Sequence, residues 1–299
     1  MSATAPARLT LGPLLFHWPA AKRRDFYLRI ADEAPVDTVY LGEVVCSKRE
    51  PAFTQHFEEI VHRLQAAGKT VVRSTLALVT TPREVAALRE SAQGGLMLEA
   101  NDVACLDAVA GAPHVVGPYI NVINEGTRDF LARQGAVRIV LPVELPEASI
   151  RIIASGAGAT AIEVQAFGRQ PLSVAMRCYH ARSHNLSKDH CQLVCGLDAD
   201  GLTATSIGGE DVLAINGTQT LSFGYGVALE ELERLRAAGV GHFRLSPHDL
   251  DMVRVAQLFR GLLDNATESA AVAAELRSML GGRPLLNGFL RGRAGMSRR

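Results

Sequence analysis

The chain has 299 residues, with 31 Lys and Arg against 31 Asp and Glu, 47% hydrophobic and 21% charged, a mean hydropathy of +0.10 and a pI near 7.1. A neutral chain offers no long-range field to a polyanion, which argues against nucleic acid or an acidic membrane surface as its main partner, and no apolar run approaches the ~18 residues of a membrane span. Residues 1–8 lack a basic start followed by an unbroken apolar core, and Pro13, His17 and Pro19 interrupt the residues after them, so a cytoplasmic protein is expected. The one basic cluster, Arg291, Arg293, Arg298 and Arg299, reads as a solvated tail.

In chain order, aliphatic and β-branched runs predict strands over 9–16, 36–42, 70–78, 95–98, 114–118, 137–141, 160–166 and 242–245. Helical periodicity fills the gaps at 20–34, 51–67, 82–91, 101–110, 124–134, 146–154 and 228–238. Gly68, Gly111, Gly135 and Gly156 sit where helix C-terminal caps belong. Eight strands, most followed by a helix, predict an α/β fold, a TIM-type (β/α)8 barrel forming one domain over 1–299, with a doubly wound open sheet as the alternative. The rhythm fails once, at an insertion after the seventh strand, from about 171 to 226, which carries three of the five cysteines. Long departures of this kind inside a compact domain are usually functional.

Five cysteines are too few for a disulfide scaffold, and an odd count points to free thiols or ligation. Cys46 lies just past the second strand, whereas Cys178, Cys191 and Cys195 come after the seventh, so both segments open on the C-terminal rim where barrel chemistry gathers. Four converging thiolates can hold zinc or an iron-sulfur cluster. The spacing Cys191-x3-Cys195, without paired C-x2-C knuckles, leans toward a cluster; unligated thiols are the alternative. Cys105 falls inside a helical pattern and reads as a buried small hydrophobe. His180, His184 and His190 read as ordinary polar loop residues that could also replace a thiolate, and Arg49, Arg177 and Arg182 flank the cysteines, where they could pair with substrate carboxylates, with an anionic cluster or in salt bridges to neighbouring loops.

Polar residues recur at strand ends: Glu43, Glu99, Asn101, Asn121, Asn124, Glu144 and Glu163. As a group they predict a polar pocket at the barrel mouth, with Glu43, Glu144 and Glu163 as catalytic candidates; Asn101 is also a candidate N-cap. The segment from Gly156 to Ala161 spells G-x-G-x-x-A but precedes a strand, so it offers no helix N-terminus to a pyrophosphate. No Walker motif, G-x-S-x-G or H-E-x-x-H occurs.

Several runs are recognisable together: Leu11-Gly12-Pro13, the stretch from Tyr40 to Arg49, Ser74 to Val79, Pro142 to Leu145, Gly168 with Pro171-Leu172, Arg177-Cys178 with Ala181-Arg182, Lys188 to Cys191 through Cys195, Asn216 to Thr220, and Arg244 to Pro247. From about 11 to 290 the chain resembles the ubiquinone-biosynthesis branch of the collagenase-like putative peptidase (U32) superfamily. The resemblance implies a barrel-like fold and a 4Fe-4S cluster on Cys46, Cys178, Cys191 and Cys195. It also implies a heterodimer with a homologous UbiU-like subunit, a UbiT-like lipid-binding accessory protein, and oxygen-independent hydroxylation of a ubiquinone precursor, with prephenate the leading oxygen donor. Alternatives are a non-catalytic cluster-bearing scaffold for the partner, or a peptidase. One departure stands out: Asn287-Gly288-Phe289-Leu290 replaces the branch's usual Asn-Gly-Tyr-Trp. The apolar segments 252–259 and 266–280 are candidate partner surfaces, or simply barrel-packing helices.

Overall fold

The structure, a computed structural model, describes residues 6–297; Arg298 and Arg299 of the basic tail, and residues 1–5 of the leading stretch, lie outside it. Seven strands, β1 (Arg8–Leu11), β2 (Thr38–Leu41), β3 (Thr70–Ser74), β4 (Met97–Ala100), β5 (His114–Val116), β6 (Ala136–Val140) and β7 (Ala161–Val174), lie side by side in chain order, all parallel. After the hairpin strands β8 (Leu202–Thr205), β9 (Asp211–Asn216) and β10 (Gln219–Val227), strand β11 (Val240–Leu245) pairs in parallel with both β7 and β1. That double pairing closes an eight-stranded barrel and excludes the open sheet. A short β12 (Leu285–Leu286) adds to β10.

Side-chain alternation sets the two layers, because successive residues of a strand point to opposite faces. Leu9, Leu11, Val39, Leu41 and Val71 face outward into the main apolar core, while Tyr40, Val72, Val115 and Val140 form a separate interior cluster. The helices are α1 (Ala20–Glu33), α2 (Glu50–Thr54), α3 (Phe57–Ala66), α4 (Pro82–Ala92), α5 (Val103–Ala108), α6 (Glu125–Arg133), α7 (Glu147–Ser155), α8 (Tyr179–Ser183), α9 (Leu232–Ala237), α10 (Met252–Leu263) and α11 (Ser269–Met279). Helix α10 buries Met252, Val253, Val255, Ala256, Leu258 and Phe259, and α11 buries Val272, Ala273 and Leu276, so both candidate partner segments spend their apolar faces on the barrel core. Among the described residues, no helix is long and apolar enough to cross a membrane.

Three expectations are corrected. The helix expected over 51–67 is two helices, because Gln55 is extended and His56 takes a left-handed φ of 65° between them. Asp102, not Asn101, caps α5, its carboxylate accepting from Ala104 N; the Asn101 amide turns inward and donates to Thr75 O at 3.0 Å. The insertion is more ordered than a loop. Strand β7 runs past the barrel to pair antiparallel with β10, and β10, β9 and β8 continue as an antiparallel extension. Only the stretch between β7 and β8 is irregular, and it carries α8 and two short 3-10 turns, Lys188–His190 and Val194–Leu197.

Candidate functional site

The first arm of the site is the loop after β2. Gly42 lets it leave the barrel, since a Cβ there would sit 1.9 Å from Ser74 O. Glu43 then folds back, and its Oε1 accepts from the backbone N–H groups of Val45 and Cys46, each at 2.9 Å. Burial pushes the Glu43 carboxyl up, while Arg49 and those two amides pull it down. The carboxylate is thus the clamp that shapes the Cys46 turn. Thr218 in the β9–β10 hairpin donates to Val45 O at 2.9 Å, and Lys48 reaches Lys188 O at 2.7 Å. These bonds tie the loop to the extension.

The second arm is the irregular stretch. Cys178 caps α8, and its Sγ accepts from Ala181 N at 3.3 Å. Cys191 and Cys195 flank a turn in which Gln192 and Leu193 adopt φ of 49° and 54°. All four cysteines line one void, whose walls also include Arg49, Lys188, Leu193 and Gly217. None of the four is in a disulfide. Cys105 lies apart, fully buried in α5 within its own apolar cluster.

Arg49 is 1% exposed. It donates to Leu15 O at 2.8 Å and to Asn216 Oδ1 at 3.0 Å, and stands 4.0 Å from Glu43. Its Nε is buried without an acceptor. Burial pushes the Cys195 and Cys46 thiols up, and the Arg49 charge opposes it at both. Gly217, at φ 65°, makes room: a Cβ there would lie 2.5 Å from Arg49 Nη2. Of the three flanking arginines, only Arg49 reaches the void; Arg177 and Arg182 are exposed. His180, His184 and His190 do not line it either. Four soft sulfur donors, a backbone N–H aimed at one sulfur, a buried guanidinium and its orphaned Nε suit an anionic thiolate-held group such as an iron-sulfur cluster.

A cavity of about 310 Å³ opens at the barrel mouth. Glu144 and Asn121, both exposed, sit on its rim. Glu43 does not line it, nor does Glu163. Glu163 is 0% exposed beneath the cavity, accepting from Thr10 at 2.9 Å and Tyr40 at 2.7 Å and pairing with Arg244 at 2.5 Å and Arg138 at 3.4 Å. Burial pushes its carboxyl up, but Arg244 and Arg138 outweigh that and hold it at about 2. Arg244 also meets Glu99 at 2.7 Å and lies 4.0 Å over the Tyr40 ring. Sequence reasoning missed Arg244, Tyr119 and Ser246 as cavity residues. The signal that could have found them was a position at or just past a strand end, β11 for Arg244 and Ser246 and β5 for Tyr119, where side chains face the mouth.

A hydrogen-bonded chain joins the cavity to the thiols. Gln219 donates to the Tyr119 hydroxyl at 2.6 Å, Asn216 donates to Gln219 Oε1 at 3.3 Å, and Arg49 donates to Asn216. Because Tyr119 accepts from Gln219, its own proton is available to a cavity occupant. Elsewhere, His248 and Asp200 form a pair at 2.6 Å. Here, though, His248 Nε2 accepts from Arg169 N at 3.0 Å, so both ring nitrogens are engaged and neither can serve as a base.

The profile of Peptidase family U32 matches residues 27–298. Among solved structures, the chain is similar to the tryptophan synthase complex from Pyrococcus furiosus, at 9% identity and TM-score 0.42, covering 93% of this chain and 100% of that one. It is also similar to dihydrodipicolinate synthase from Agrobacterium tumefaciens, at 12% identity and TM-score 0.40, covering 92% and 84%.

Proposed function

This chain belongs to peptidase family U32, and from that premise we propose that it is a UbiV-like, 4Fe-4S-bearing subunit that works with a UbiU-like homologue and a UbiT-like lipid carrier in oxygen-independent hydroxylation of a ubiquinone precursor. The observation that carries the reading is the convergence of Cys46, Cys178, Cys191 and Cys195, from two arms of the chain, on a void shared with the buried Arg49. When bound, the cluster supplies one-electron chemistry beside the barrel mouth. Arg49 offsets the negative charge of the thiolates, and Glu43 holds the Cys46 turn in place. The cavity, at about 310 Å³, is at the small end of ligand pockets and takes a single ring or a small organic acid, leaving a polyprenyl tail to the accessory protein. Tyr119 donates a proton or hydrogen bond to that occupant, while Glu144 and Asn121 contribute polar groups from the rim.

The test is anaerobic purification followed by iron, sulfide and electron paramagnetic resonance measurements, with co-purification of a UbiU-like partner. About four iron and four sulfide per chain are expected; one zinc with no iron would overturn the cluster. Quinone production under anaerobic growth then separates a catalytic subunit from a scaffold. Cavity variants such as Tyr119→Phe that keep full iron but lose quinone place substrate chemistry in this chain; unchanged quinone assigns it to the partner.

A further inference from the structure

His180 lies two residues after Cys178, yet its ring turns away from the thiol void and packs against β9. The side chain is 0% exposed, and its Nδ1 lies 3.2 Å from Ile215 O. A carbonyl only accepts, so Nδ1 carries a proton and, in the neutral ring, Nε2 is a bare lone pair. That lone pair is 2.9 Å from Asp198 Oδ2, but the two are not aligned as a hydrogen bond and Nε2 has no hydrogen-bond partner. A lone pair facing a carboxylate is repulsive unless a cation or a proton lies between them.

His184, one turn on, stacks on His180 with ring centroids 5.7 Å apart and planes 7° from parallel. One ligand atom each from His180, His184 and Asp198 lies within 4.8 Å of the others. A protonated His180 paired with Asp198 would account for those two groups and leave His184 to the ring stack alone. A divalent ion accounts for all three. Two imidazoles at i, i+4 and a carboxylate are a zinc-type ligand set, and an Nδ1–H bond to a backbone carbonyl is how a metal-bound histidine is usually fixed in the Nε2-donating tautomer.

We propose that His180, His184 and Asp198 form a second metal site, separate from the thiols, for a divalent ion of the zinc class, with its fourth position taken by water. His180 lies just past Cys178 and Asp198 just past Cys195, so the ion staples together the two ends of the stretch that carries three of the four cysteines. This inference does not depend on the cluster reading, because the ligands are different side chains.

The experiment uses the full chain, purified anaerobically and titrated with Co2+ as a spectroscopic stand-in and with Zn2+, counting iron in the same samples. One Co2+ per chain beyond what the thiols bind is expected, with visible ligand-field bands and no thiolate-to-cobalt charge transfer of its own. His184→Ala, at an exposed position, and Asp198→Asn should each weaken uptake by on the order of 10- to 100-fold or more, the range seen when even outer partners of a metal site are removed, while iron content stays at the wild-type level. Unchanged uptake in folded His184→Ala, or no uptake by the wild type beyond what the thiols bind, would overturn the proposal. If Asp198→Asn fails to fold, His184→Ala alone decides.

Discussion

Two of the buried charged clusters among the described residues, one on the floor of the barrel and one behind the thiols, are built by different rules. On the floor, two carboxylates, Glu99 and Glu163, meet two guanidiniums, Arg244 and Arg138, and hydroxyls of Thr10, Tyr40 and Ser74 take up further carboxylate oxygens. The set neutralises itself. Behind the thiols, Arg49 has a carbonyl, an amide and a single carboxylate no nearer than 4.0 Å; each set has a buried N–H without an acceptor, Arg49 Nε here and Arg138 Nε on the floor, so the difference lies in how close the counter-charge stands. A buried charge left short of counter-charge is costly, so the second set reads as one that is completed by an anion, and the first as one that holds the barrel together.

The largest break in that comparison is at the sulfurs. Under the proposed function, Cys178→Ser or Cys191→Ser should remove most of the iron from anaerobically prepared protein, measured as iron and sulfide per chain. Cys105→Ser should leave iron at the wild-type level and cost only stability. Equal iron losses in all three would mean that Cys105 had been wrongly set apart.

The barrel was legible because its strands are short aliphatic runs separated by capped helices, and a parallel strand buried on both faces writes itself as hydrophobic residues. That Cys46, Cys178, Cys191 and Cys195 share the lining of one void was legible too, since chain order alone puts both arms on one rim. The depth of a polar side chain was not. Glu43, Glu144 and Glu163 look alike at strand ends, yet one clamps a turn, one sits on the cavity rim and one is sealed beneath it. Which it becomes depends on partners such as Arg244, 81 residues from Glu163, and sequence spacing does not reveal such pairings. Arg49, Arg177 and Arg182 were equally indistinguishable, because only the bend after Cys46 and the missing side chain at Gly217 admit Arg49 to the void.

Arginine substitutions sharpen the contrast. Arg49→Met and Arg244→Met each break a buried charged set and should each destabilise the fold by about 3–5 kcal/mol, read by urea unfolding of matched samples. Their iron contents should differ: Arg49→Met loses cluster or holds it with a shortened lifetime, whereas Arg244→Met retains it. Arg177→Ala and Arg182→Ala, on exposed side chains, should stay within about 0.5 kcal/mol and keep their iron. Loss of iron in Arg244→Met but not in Arg49→Met would reverse the roles assigned to the two clusters.

Acid should find the barrel floor. The folded-state carboxyl of Glu163 is held at about 2, below its ordinary 4.5, so its charged form is favoured by folding. The resulting stability is present above the unfolded value and is lost as pH falls from about 4.5 through about 2. The difference corresponds to a stabilisation on the order of 3 kcal/mol. Glu163→Gln should therefore be less stable than wild type at neutral pH and show a flatter loss of stability in that acid window. An acid limb as steep as that of the wild type would assign the slope to other carboxylates, of which Asp200, also held low against burial by His248 and Arg169, is the first to substitute.

A smaller effect than either arginine break belongs to the chain that links the cavity above the floor to Arg49. In Tyr119→Phe, Gln219 Nε2 loses its acceptor, a neutral hydrogen bond at the edge of a cavity, with an expected cost of about 1 kcal/mol. Gln219 and Asn216 stand between Tyr119 and Arg49, and Arg49 keeps its bonds to Asn216 and Leu15 in the variant, so iron content should not change. What changes is the cavity: the occupant loses the hydroxyl proton that Gln219 leaves free, and the Gln219–Asn216–Arg49 chain no longer ends on a group that touches it. Under the proposed function, quinone production falls in Tyr119→Phe, and Gln219→Ala, which frees the Tyr119 oxygen but keeps its proton, should lower it less. Equal activities for both variants and the wild type, with iron intact, would show that the link is part of the packing and that the two regions work without it.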